Sequence, residues 1–211
     1  MESFLLQLIA SVAGLCVVWI AQSMGRKFLG PPKDPVKRKA LARQHFSKAA
    51  QLLEKSHSST GTPEALSLAK DANTEIDKAI ALDSKDVSFH VLKSYALEQQ
   101  GLLPGAIDSL NIALSDDMEN VMIPSEMCDA LLRRASLLLS SSKGRRNVDV
   151  AIPDLQKCLQ ITPDNPKVLC KLGLCYERNK SFADAERIYE RVLTLDFKSQ
   201  EARAGLKRLR P

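Results

Sequence analysis

Two patterns of apolar residues divide this chain. From Phe4 to Ala21, 15 of 18 side chains are apolar and none is charged. Coiled as a helix, residues 4–24 would span about 30 Å, the thickness of a bilayer's hydrocarbon core. From Val36 onward the pattern changes. Apolar and small residues recur every three or four positions, as in amphipathic helices that each bury one face.

A longer period lies over the second pattern. Ala72, Ala106, Ala151 and Ala185 each open a similar helical segment, at spacings of 34, 45 and 34. Ala79, Ala113, Cys158 and Val192 follow seven residues later, each preceding an aliphatic residue: Ile80, Leu114, Leu159 and Leu193. The 45 spacing holds two insertions, one in SDDMENVMIP and one in SSSKGRRN, both polar and turn-rich, as loops should be. KSHSSTGTP, residues 55–63, reads as another long turn.

The last unit reads Leu169-x2-Leu172-Gly173-x2-Tyr176, then Ala185-x3-Tyr189. The third reads Leu131-x2-Arg134-Ala135-x2-Leu138, then Ala151-x3-Leu155, ending at Pro163. The second, His90-x2-Lys93-Ser94-x2-Leu97 and Ala106-x3-Leu110, has Lys93 where leucine is usual. These residues resemble the tetratricopeptide repeat, a helix–turn–helix unit with a 34-residue period. The resemblance covers about residues 36–197. It implies an all-α, right-handed solenoid of about four helix pairs with a basic closing helix near Gln200–Arg210. Stacked pairs share one core and leave a groove.

Charge locates the first segment. The net charge is +5, but residues 25–48 alone carry +7 and residues 49–211 carry −1. With only 5% aromatic residues and no nucleic-acid motif, one local basic block excludes a general nucleic-acid-binding surface. The block directly follows the apolar run. By the positive-inside rule it stays on the cytoplasmic side. Arg26, Lys27, Lys33, Lys37, Arg38 and Lys39 are placed to meet anionic headgroups. Ala21-Gln22-Ser23 resembles a signal-peptidase site, but MES supplies no basic lead and the run is long, so a retained anchor is expected. The expected organisation is a transmembrane signal-anchor at 1–24, a basic proline-containing linker at 25–35 and a helical repeat domain at 36–211. The lipid bilayer is met through residues 4–24.

The five cysteines are scattered and none forms CxxC, which fits reduced thiols in a cytosol-facing domain. Cys170 and Cys175 diverge by about 140° on a helix, so they cannot share a metal there. Cys158 and Cys175 read as packing residues. No HExxH, GxSxG or glycine-rich phosphate loop is present, and neither catalysis nor a cofactor is expected.

Family likeness assigns the groove. On the first helix of the second unit it nominates Ser88, Val91, Tyr95 and Glu98. On the third it nominates Asp129, Leu132, Arg133 and Ser136. On the fourth it nominates Lys167, Cys170, Lys171, Leu174 and Arg178. Lys167 and Lys171 resemble two members of the carboxylate clamp with which some tetratricopeptide cochaperones hold a chaperone C-terminus. The clamp's asparagines have no counterpart here. The expectation is a non-enzymatic, single-pass membrane adaptor or receptor whose cytosolic groove binds a protein segment, as in organelle import or chaperone docking. The mitochondrial or plastid outer membrane is expected ahead of the endoplasmic reticulum. The alternative is a permanent assembly subunit of a membrane complex.

Overall fold

A computed structural model describes residues 32–59, 61–119, 122–141 and 144–210. All regular structure in them is helical. The expected anchor at 1–24, Arg26 and Lys27 lie outside the described residues. Among the described residues no helix is long and apolar enough to cross a membrane.

The chain forms α1 (Pro35–Ser58), α2 (Pro63–Leu82), α3 (Val87–Gln99), α4 (Leu103–Ala113), α5 (Pro124–Ser140), α6 (Gly144–Ile161), α7 (Pro166–Arg178), α8 (Phe182–Leu195) and α9 (Gln200–Leu209). A single helical turn, Asp116–Glu119, stands between α4 and α5. Local chemistry sets the starts. Asp34, Thr62, Asp86, Asn165 and Ser199 each accept a hydrogen bond from a first-turn amide. Pro35, Pro63 and Pro166 occupy the first helical position, where no amide donor is needed. Gly101, at φ +74°, ends α3 in the left-handed conformation, and the amide of Leu102 reaches back to the carbonyl of Leu97 at 2.9 Å. Lys180, at φ +63°, does the same after α7 without glycine's freedom.

The helices pair as hairpins α1–α2, α3–α4, α5–α6 and α7–α8, and α9 closes the stack. Ala72, Ala79, Ala106, Ala113, Ala151, Cys158, Ala185 and Val192 are all fully buried. The 34-residue period is therefore a packing period: each second helix presents the same small contact face to its neighbours. Three details differ from the sequence reading. Ala72 and Ala151 lie mid-helix, because α2 and α6 start well before them. The four extra residues of SSSKGRRN also do not all form a loop. The helix begins seven residues before Ala151 but three before Ala185, so the insertion adds about one helical turn. KSHSSTGTP is likewise helical as far as Ser58.

Lys93, which stands where leucine is usual, and Arg134, at the matching position of the third unit, both form ion pairs. Lys93 reaches Asp77 on α2 at 2.7 Å. Arg134 grips the buried Asp154 of α6 through two bonds, at 2.8 and 2.7 Å, and also reaches Asn111 on α4. In the first hairpin the buried Glu75 of α2 gathers His45 and Lys48 of α1 and Lys78 of its own helix, all within 3.0 Å.

At the far end, Tyr189 fills the space between α7 and α9. A methyl group at Gly173 would stand 2.7 Å from its ring, and one at Gly205 would overlap the opposite edge. Its hydroxyl donates to Glu177, which also accepts two bonds from Arg208 of α9. One ring thus fixes the closing helix.

Candidate functional site

Among the described residues, hollows open between the first helices of successive hairpins, and three of them matter for the groove. The first is lined by Phe46 of α1, Val87, Val91 and Tyr95 of α3, Met122, and Glu126 and Asp129 of α5. The second shares Tyr95 and adds Leu53, Glu54, His57, Glu98 and Arg133. The third lies between α5, α7 and α9, lined by Leu132, Ser136, Lys167, Cys170, Lys171, Lys198, Ser199 and Glu201.

The structure distributes the sequence-nominated residues among these hollows. Ser88, Val91, Tyr95 and Asp129 line the first. Glu98 and Arg133 line the second. Leu132, Ser136, Lys167, Cys170 and Lys171 line the third. Leu174 is half-buried against the core of the third hairpin. Arg178 stands apart. It lines a hollow beside the α5–α6 turn with Ser140, Ser141 and Asn179, and it donates to the carbonyl of Leu139 at 2.7 Å. Lys33, Lys37, Arg38 and Lys39 are exposed at the start of α1.

Electrostatics separates the cations. Arg133 is already engaged. Its guanidinium lies 3.0 Å above the ring of Tyr95, donates to Ser94 at 2.9 Å and pairs with Glu98 at 2.5 Å. It is a strut between α5 and α3, and holds Tyr95 against the groove wall. Lys171 stands 3.7 Å from Glu201. Lys167 and Lys198 are exposed. The third hollow therefore sets three lysines against two carboxylates, Asp196 and Glu201. The first has two exposed carboxylates and, among the described residues, no lining cation.

The cysteines separate into two kinds. Cys170 is buried at the edge of the third hollow, beside the hydroxyl of Ser199, and burial raises its thiol's pKa. Cys175 is fully buried, and burial pushes its thiol up to about 12. Neither is placed to act as a nucleophile. Cys128 and Cys158 depart from the reduced, scattered reading. They form a disulfide between α5 and α6, with Cα atoms 4.7 Å apart. Each stands seven residues from a small core residue, Ala135 or Ala151, on antiparallel helices, so the hairpin register brings them together. That register was the signal available in the sequence.

Phe46, Met122 and Glu126 were not nominated from sequence. Phe46 belongs to the hairpin whose first helix aligns only loosely with the repeat pattern, and Met122 and Glu126 sit at or beside the first insertion. The ring contact of Phe46 with Phe89, at 5.3 Å, fixes its height on the groove wall.

Comparison with known proteins supports this architecture. Residues 144–209, spanning α6 to α9, match the tetratricopeptide repeat family model. No curated relative matches the sequence. Among solved structures, the fold is similar to MamA, residues 41 to the end, from Desulfovibrio magneticus RS-1. The TM-score is 0.65 at 15% identity, over 80% of this chain and 82% of that one. It is also similar to PilF of Pseudomonas aeruginosa, with TM-score 0.60 at 17% identity over 82% and 68% of the two chains. A tetratricopeptide repeat protein from Parabacteroides merdae gives 0.58 at 22% identity, over 77% and 59%. At these identities the likeness is one of fold: a tetratricopeptide-like stack of helix hairpins.

Proposed function

We propose that this chain is a membrane-tethered interaction module whose first-helix face holds a segment of another protein. One observation carries the groove part of this reading. Tyr95 is 43% exposed, and it joins Phe46, Val91 and Met122 around an open hollow between rigid helices. Apolar side chains converging on an open concavity, beside a few polar groups, are the usual form of a binding site. The tether rests on the sequence: an uncharged apolar run followed by a +7 block. Confinement to a surface raises the effective concentration of a partner at the same membrane, so modest groove affinity suffices. The module acts by binding rather than catalysis, with its domain facing the cytosol at an organelle membrane, the mitochondrial or plastid outer membrane ahead of the endoplasmic reticulum.

Fractionation of the full chain, with and without residues 1–24, tests the tether. The full chain should resist alkaline carbonate extraction and the shortened chain should be soluble. Equal solubility of the two would end the tethered reading.

The Cys128–Cys158 disulfide favours a second reading of the topology. Structural disulfides persist in oxidising compartments, which would put the domain on the lumenal or exported side. Protease digestion of sealed vesicles separates the two, since a cytosolic domain is digested and a lumenal one is protected.

A further inference from the structure

The three hollows differ in chemistry. The floor and walls of the first are apolar: Phe46, Val91, Tyr95 and Met122. Its rim carries Glu126 and Asp129, one turn apart on α5 and both exposed. Among the described residues neither carboxylate has an ion pair, and no lysine or arginine lines the hollow. Arg133 lies in the adjoining hollow, already bound to Glu98 and stacked on Tyr95. The third hollow has a mixed rim, with Lys167, Lys171 and Lys198 set against Asp196 and Glu201, and so carries a net positive charge.

We infer that the first hollow selects a partner segment bearing a large apolar side chain with a lysine or arginine beside it. This rests on the groove reading above and specifies its ligand. The apolar side chain enters the well and removes its walls from water. The neighbouring cation meets two carboxylates within a Debye length, where both attraction and orientation are favourable. An acidic segment would place like charges against Glu126 and Asp129 and is rejected there. The groove is thereby directional: the basic-apolar part of a bound segment lies over α3 and α5, and any acidic part points toward Lys167 and α7.

The test uses the full chain in phosphatidylcholine nanodiscs, with empty nanodiscs as the blank. Two fluorescein-labelled peptides are compared by anisotropy: one with leucine and phenylalanine flanked by arginines, and one with glutamates in place of the arginines. The arginine peptide should bind, and added salt should weaken it. Glu126→Lys with Asp129→Lys should weaken it about tenfold or more. Both residues are exposed, so circular dichroism should show an unchanged fold. Arg187→Glu, exposed on the second helix of the last hairpin and outside the hollows, should leave the arginine peptide's affinity unchanged. Preference for the glutamate peptide, lost on reversing Lys167 and Lys171, overturns the inference while leaving the groove reading intact. Binding of neither peptide, both by the unaltered chain and with Arg26, Lys27, Phe28 and Leu29 replaced by serine, overturns both. If the arginine peptide binds only after Arg26, Lys27, Phe28 and Leu29 are replaced by serine, the occupant is the chain's own leading segment, and a partner at this hollow is ruled out.

Discussion

Tyr189 offers the sharpest test of how the stack is closed. Its ring is 2% exposed and lies between two glycines, Gly173 on α7 and Gly205 on α9. Truncation to alanine removes a buried aromatic and leaves a cavity, at a cost of about 3–5 kcal/mol. Tyr189→Phe keeps the ring and loses only the hydroxyl's bond to Glu177, whose paired bonds to Arg208 remain. That change should cost about 1–2 kcal/mol. Gly205→Ala forces a methyl into the ring's edge and should cost about 1–3 kcal/mol. In the Tyr189→Ala background the same methyl enters vacated space. Alanine's better helix propensity, about 1 kcal/mol over glycine, then makes Gly205→Ala neutral or stabilising. The two substitutions should therefore couple by about 2 kcal/mol in a double-mutant cycle. Urea unfolding followed by far-ultraviolet circular dichroism gives all four corners. An equal cost for Gly205→Ala in both backgrounds would refute the close approach of ring and glycine.

Other expectations follow from single contacts. The Cys128–Cys158 bridge joins residues 30 apart, and loop-closure entropy assigns it about 3–4 kcal/mol. Reductant or Cys158→Ser should lower the urea midpoint accordingly, and full alkylation of both thiols in the native, unreduced protein would disprove the bridge. Hydrogen bonds from Lys78 foremost, then His45 and Lys48, hold the Glu75 carboxyl at about 2, below its ordinary 4.5. A lowered folded pKa means the stabilisation is fully present above about pH 4.5 and is lost as pH falls from there toward 2. The exposed lysines screen the interaction, so about 1–2 kcal/mol is expected, and Glu75→Gln should flatten the acid limb of a stability–pH curve. Lys180 sits in the left-handed region, so Lys180→Gly should stabilise by about 0.5–1 kcal/mol, and destabilisation on chemical unfolding would contradict the backbone assignment.

The repeat was legible because close helix approach demands small residues at fixed places. Ala72, Ala106, Ala151 and Ala185 announce that demand whatever surrounds them, and all are fully buried. Helix ends were less legible. Ala72 and Ala151 looked like starts because the repeat period marks a packing contact, while the start depends on caps such as Thr62 and on where an inserted turn is accommodated. Hollow-lining positions were legible on α3, α5 and α7, where side chains at family positions reach the hollows. Arg178 was placed there by analogy, but the carbonyl of Leu139 draws it to the hairpin's turn. The state of Arg133 was beyond a sequence reading, because its partners Ser94, Tyr95 and Glu98 belong to the preceding hairpin. Phe46 and Met122 entered the groove through segments without clear repeat pattern, where only three-dimensional packing assigns a face.

Capture of a bound segment by the first-helix face, at a membrane, can be read directly by site-specific photocrosslinking. A photoreactive residue is placed at Ser88 or Lys167, on the hollows, or at Arg187, exposed on the second helix of the last hairpin. The full chain is irradiated in its native membranes, and adducts are scored in the carbonate-resistant fraction. Discrete protein adducts from Ser88 and Lys167, with none from Arg187, are expected. Adducts from Arg187 alone would mean that partners are held by the opposite face of the stack.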